Sequence, residues 1–109
     1  MTSLRELAHA RAGDKGGTAD LTVIARDAAA FARLRVQLTA TVVAAHFADL
    51  PLTAVDRYEL PQLLALKFVL HDALGPGVTT TLSLDPHGKA LSSCLLALEL
   101  LDPAPGPAT

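Results

Sequence analysis

Three glycines fall within five positions, at Gly13, Gly16 and Gly17. They separate two stretches with strand character. Residues 3–10 put Leu4, Glu6, Ala8 and Ala10 on one side and Arg5, Leu7 and His9 on the other. Residues 19–26 put Leu21, Val23 and Ala25 on one face. Glycine takes positive φ without steric cost, so a glycine cluster between two such stretches reads as a chain reversal. The pattern predicts a β-hairpin with the segment Arg11–Thr18 as the loop at its tip.

What surrounds this hairpin is an apolar chain. The sequence has 109 residues, half of them hydrophobic, with 21 Leu and 20 Ala. That length fits one domain, read here as residues 1–101, and such a domain can bury a real core without staples. The apolar fraction is too high for a disordered chain. A net charge of −2 gives no basic face for nucleic acid. One cysteine, Cys94, excludes an intrachain disulfide framework and a cysteine-clustered zinc site, and fits a reducing cytoplasm. No charge-free apolar window is long enough to span a membrane, and the start Met1–Glu6 does not read as a secretory signal. Pro103, Pro105, Gly106 and Pro107 mark residues 102–109 as a flexible tail.

Between hairpin and tail the elements read as follows. Asp27 is suited to cap a helix over residues 28–38 that buries Phe31, Leu34 and Leu38. Thr39 caps a shorter helix over 40–48, which Pro51 ends. Residues 53–60 alternate as a strand, with Arg57 and Glu59 on a side that is expected to be exposed, the alternative being that it lines a pocket. Leu63, Leu66, Leu70 and Leu74 fit a helix running from Pro61 to Leu74, with a buried strand over Leu64–Leu70 as the alternative. Residues 78–85 are rich in β-branched side chains and read as a strand, followed by a type I turn over Asp85–Gly88. Residues 90–100 are expected to pair back, with Cys94, Leu96, Leu98 and Leu100 facing the core. The predicted order β-β-α(α)-β-α-β-β gives a two-layer α+β sandwich with a largely antiparallel sheet.

Chemistry concentrates in the glycine segment. Successive backbone N–H groups around Gly13, Gly16 and Gly17 can form an anion-binding nest, with charge from Arg11 and Lys15 and a hydroxyl from Thr18. It is not a Walker A loop, since the lysine precedes the last glycines and a strand follows. The plainer alternative is a hairpin loop whose charges only solvate it. Asp14 beside Lys15, with His9 on the incoming strand, is the candidate acid/base set; an Asp next to a glycine also commonly bonds its own turn. The four histidines do not pair at metal-ligand spacing, and no cofactor motif is present.

Several segments together resemble one family: Leu7–Gly16, Val23–Arg26, Tyr58–Pro61, Phe68–His71 and Leu84–Lys89. They are similar to the small C-terminal domain of the acyclic terpene utilisation protein A (AtuA) family, here over about residues 4–100 as a free-standing chain. Within that likeness Ala12 stands where the family usually has Ser, and Gln62 and Lys67 stand where it has Asn. The resemblance implies a ferredoxin-like α+β fold with helices on one face of the sheet. It also implies a bacterial role near the breakdown of terpenoid or branched acyl-CoA compounds.

Three functions follow as expectations. The first is an accessory subunit that joins a large AtuA-like partner and contributes an anion site for a carboxylate, phosphate or CoA moiety through Arg11, Gly13, Asp14, Lys15, Gly16, Gly17 and Thr18. The second is a free-standing hydratase or lyase acting on acyl-CoA through Asp14 with Lys15 or His9. The third is a structural module that hides its sheet edges in a homo-oligomer. Neither nucleic acid nor membrane is an expected partner.

Overall fold

The computed structural model describes residues 1–15, 17–73 and 89–102. Its elements are β1 (Thr2–Ser3), a 3₁₀ turn (Leu4–Glu6), β2 (Ala8–Lys15), β3 (Thr18–Ala25), α1 (Ala28–Gln37), α2 (Ala40–His46), β4 (Ala54–Leu60), a 3₁₀ turn (Pro61–Leu63), β5 (Ala65–His71), α3 (Lys89–Leu96) and β6 (Glu99–Leu100). The main sheet is antiparallel throughout, in the order β2-β3-β5-β4. A small second sheet pairs β1 with β6. This is an α+β fold.

The hairpin is present, and its strands are longer than the sequence pattern suggested. Pairing runs from Ala8↔Ala25 to Lys15↔Thr18, so Arg11–Lys15 and Thr18 belong to the ladder and not to a loop. Only Gly16 and Gly17 lie between the last paired residues, the two-residue connection that Gly-Gly favours. At the other end, Leu4–Glu6 form a 3₁₀ turn where the strand was expected to begin.

Both helix caps are as expected. Asp27 accepts a hydrogen bond from the Ala30 amide at 2.7 Å, and Thr39 accepts one from Val42 at 3.1 Å. α1 presents Phe31 and Leu34 to the core, and α2 presents Val43.

Residues 61–73 form no α-helix. A single 3₁₀ turn ends at Leu64, whose positive φ of 54° swings the chain into β5. That strand lies in the sheet interior, hydrogen-bonded to β3 on one side and β4 on the other. Leu66, Phe68 and Leu70 are fully buried while Leu63, which the helical pattern would have buried, is 65% exposed. A central strand covered on one face and half-covered on the other reads as a nearly continuous apolar run, which is why its spacing mimicked a helix.

Residues 90–100 are not a strand. Lys89–Leu96 is helical, and Leu91, Leu95 and Leu98 are buried at i, i+4, i+7. Cys94 is exposed. The alternation of leucines that suggested a strand holds only for Leu98 and Leu100, around β6. The strand expected at 78–85, the turn at 85–88 and the tail beyond Asp102 lie outside the described residues.

The topology explains the departure from a simple βαββαβ order. β3, α1/α2, β4, β5 and α3 follow that order, with β3 and β4 parallel on either side of β5. The edge place beside β3, which a last strand fills in the usual order, is held by β2 from the N-terminal side. α3 packs on β2, α1 on β3 and α2 on β4. One core lies between the sheet and the helices, built from Ala8, Leu21, Val23, Leu66, Phe68 and Leu70 against Phe31, Leu34, Leu38, Val43, Leu91 and Leu95.

Candidate functional site

The strand registers sort the polar residues of the sheet by face. Positions paired with buried residues face the helices; the alternate positions face away. Three transverse rows on the face that no described helix covers follow from the pairings. One is His9, Ile24, Ala65 and Leu60; the next is Arg11, Thr22, Lys67 and Tyr58; the third is Gly13, Asp20, Val69 and Asp56. Adjacent residues in a row stand about 4.8 Å apart, and successive rows about 6.8 Å.

The middle row carries two cations, a hydroxyl and a phenol, with no acid among them. Tyr58 is half exposed. Among the described residues neither Arg11 nor Lys67 forms an ion pair. Their long side chains flank Thr22, one strand to each side, so both can reach a single anion above it.

The third row carries the acids, and the two differ. Asp56 accepts from His71 Nε2 at 2.7 Å. Asp20 has no hydrogen-bond or ion-pair partner among the described residues. It lies opposite Gly13, and a Cβ at Gly13 would stand 3.2 Å from Asp20 Oδ1. The glycine thus leaves the carboxylate room to lie across β2.

The structure separates the residues singled out from sequence. His9, Arg11 and Gly13 share the uncovered face. Asp14 pairs with buried Ala19 and so belongs to the helix side of the strand, away from His9 and Arg11, where it is exposed at the end of the hairpin. Lys15 and Thr18 are the last paired positions, and Gly17 lies in the turn. Because Gly13–Lys15 are extended, their successive N–H groups point to alternate sides of the strand and do not converge as a nest requires. Gly16 is outside the described residues. His71, which the helix read over Pro61–Leu74 would contain, ends β5 instead.

Asp20, Thr22 and Lys67 were missed. The first two were readable: a two-residue turn fixes the register, and Lys15↔Thr18 dictates Gly13↔Asp20 and Arg11↔Thr22. Lys67 was hidden by the helical reading of its strand.

Other polar groups serve the frame. Arg57, expected at the exposed surface, is largely covered. It donates from Nε to the Leu38 carbonyl at 3.0 Å and from Nη2 to that of Arg35 at 2.7 Å, satisfying the carbonyl end of α1. Its Nη1 meets Glu59 at 3.1 Å. Arg33 and Gln37 both donate to the Leu101 carbonyl, and Arg33 also meets Asp102 at 3.2 Å. Asp102 further accepts from Thr2 and from the terminal ammonium. The Thr2 bond, then the ammonium, then Arg33 hold its carboxyl well below the usual carboxylate range.

Cys94 Sγ stands 3.6 Å from His46 Nε2, but that nitrogen is 2.7 Å from the Cys94 carbonyl and so carries the donated proton. It cannot also take a proton from the thiol, and the pair lacks the arrangement of a nucleophile and its base. A shallow depression of about 240 Å³ over Gln37, Val42, Glu99, Leu100 and Leu101 offers one acid and an amide already in use. No group of three metal-ligating side chains occurs among the described residues. No single helix among them is long and apolar enough to cross a membrane; α1 and α2 are bent 77° apart.

Against known proteins, the family model described as the AtuA ferredoxin-like domain matches residues 2–101. No curated protein matches, and neither does any solved structure.

Proposed function

The chain belongs to the AtuA ferredoxin-like domain family, and on that premise we propose that it is an accessory domain of an AtuA-type system of acyl-CoA catabolism. It works beside a larger AtuA-type subunit, and its uncovered sheet face receives the anionic group of the ligand. Arg11 and Lys67 supply the charge, Thr22 the hydrogen bond between them, and Tyr58 a flat amphipathic flank.

The observation that carries this reading is that Arg11 and Lys67, on either side of Thr22, form no ion pair among the described residues. Opposite charges placed directly or diagonally across strands stabilise a sheet surface. Here the one acid within diagonal reach of both, Asp20, meets neither. An anion above Thr22 gives both cations a partner at once, and a guanidinium on one flank adds bidentate geometry.

Titration of the whole chain with CoA and with inorganic phosphate, followed by calorimetry and amide NMR shifts, tests the reading. Saturable shifts at Arg11, Thr22 and Lys67 are expected, and Arg11→Ala and Lys67→Ala each weaken binding by about tenfold, as loss of a charge-assisted hydrogen bond does. Binding that is unchanged in the double variant, or shifts confined to another surface, would rule the row out.

A further inference from the structure

We propose that Asp20 is a second anchor of this site, and that the ligand class is therefore an anion bearing a hydroxyl or amide hydrogen-bond donor. This rests on the reading of the Arg11–Thr22–Lys67 row as an anion site.

Three observations converge on Asp20. It lies two residues along β3 from Thr22, on the same face, which puts it about 6.8 Å from the centre of the basic row. It has no partner among the described residues, and its carboxylate oxygens are not buried, so they remain open to a donor on a ligand. The position across from it is a glycine, and any larger residue would crowd its Oδ1. Asp56 is the internal comparison. It occupies the same row two strands away, but His71 takes its Oδ2. One acid of the row is spoken for and the other has no partner among the described residues.

An ionised carboxylate only accepts hydrogen bonds. Beside an anion site it repels a bare anion and rewards one whose other end donates. Asp20 thus works as a selectivity element: phosphate or a simple carboxylate meets the cations and the repulsion, whereas a hydroxy acid or an amide-bearing anion meets the cations and an acceptor. Such discrimination by a site built around a donor is stronger than that of an apolar pocket for an added methylene.

The test compares two probes that differ by one hydroxyl, butanoate and 3-hydroxybutanoate, in NMR titrations of the full chain. The wild-type chain is expected to bind the hydroxy acid about tenfold or more tightly, the usual worth of a hydrogen bond to a charged group. In Asp20→Ala the preference falls to within about twofold and butanoate itself binds as well or better, because a like charge is gone. Gly13→Ala, which keeps the carboxylate but displaces it, lowers the preference in the same direction while the amide spectrum of the sheet stays intact. Equal binding of both acids by the wild-type chain, or a preference that survives Asp20→Ala, overturns the assignment of Asp20 and leaves the basic row standing. Absence of shifts at Arg11 and Lys67 with either acid overturns the row, and the Asp20 assignment with it.

Discussion

The two faces of the four-stranded sheet are made by the same strands and do opposite things. On the helix side, alternate residues of β3 and β5 are buried almost without remainder: Ala19, Leu21, Val23 and Ala25, then Leu66, Phe68 and Leu70. On the other side the same strands present Asp20, Thr22, Ile24, Lys67 and Val69, none fully buried, and only the small Ala65 is buried there. Apolar area removed from water contributes about 25 cal/mol per Å², so stability is concentrated on the helix side. The open side contributes little to it and is free to carry charge. The contrast teaches where to look for function in a chain this apolar: in the residues the core leaves over, arranged by the register that the core enforces.

The sharpest way to break the contrast is to exchange the fates of neighbours. Phe68 and Lys67 are consecutive and point to opposite faces. Phe68→Ala is expected to cost about 3–5 kcal/mol, as truncation of a buried aromatic does, whereas Lys67→Ala should lie within about 0.5 kcal/mol of wild type. Urea denaturation measures both, and similar losses would mean that the open face is packed against something. Ligand binding should reverse the ranking, with only the lysine substitution weakening phosphate or CoA. Arg57 sharpens the boundary between the faces, because it sits on the helix side yet is polar. Arg57→Ala frees the Leu38 and Arg35 carbonyls at the end of α1 and is expected to cost about 1–2 kcal/mol; Arg57→Lys, which has no planar fork, should recover less than half. Asp27→Ala, at the other end of the same helix, should cost about 1 kcal/mol by loss of its cap, read as a lower thermal midpoint.

The smallest effect is one of pH. The folded Asp102 carboxyl is held below its ordinary value by Thr2, the terminal ammonium and Arg33. A lowered folded value means that its stabilisation is complete above the unfolded carboxyl's pKa, about 3.9. It fades as the pH falls from there toward the folded value. Asp102→Asn should therefore differ slightly from wild type near neutrality and converge with it in acid. Because Asp102 is solvent-exposed, the effect will be small and salt-dependent. A difference that grows toward acid would contradict the sign.

The sequence was most legible where a local rule has one outcome. Asp27 and Thr39 announce their helices because each offers a side-chain oxygen just ahead of an apolar periodic stretch. The glycines announce a reversal, and the two-residue spacing of Gly16 and Gly17 contains the register of the whole β2–β3 ladder, from Lys15↔Thr18 back to Ala8↔Ala25. Reading Arg11–Thr18 as one loop hid it. Legibility failed for β5, because strand against helix at Leu64–Leu70 is decided by long-range partners. Phe68 is an inner-face residue only because β3 and β4 flank it. The candidate site inherits both outcomes. Its Arg11, Gly13, Asp20 and Thr22 portion is implicit in the hairpin, whereas Lys67 and Tyr58 enter through pairings that no local pattern specifies.

The use of β2 in the place of a last strand has a consequence for synthesis. All four strands of the sheet lie between Ala8 and His71. In the usual βαββαβ order, the edge strand beside the first one is made at the end and the ladder stays open until then. Here the four described strands have all been polymerised once His71 is added, while residues 89–102 are still to come. Domains fold as units during synthesis at rates of about 5–20 residues per second. These four strands therefore gain a head start of about a second or more over α3 and β6, and the late segment arrives at a ladder whose described strands can already be paired.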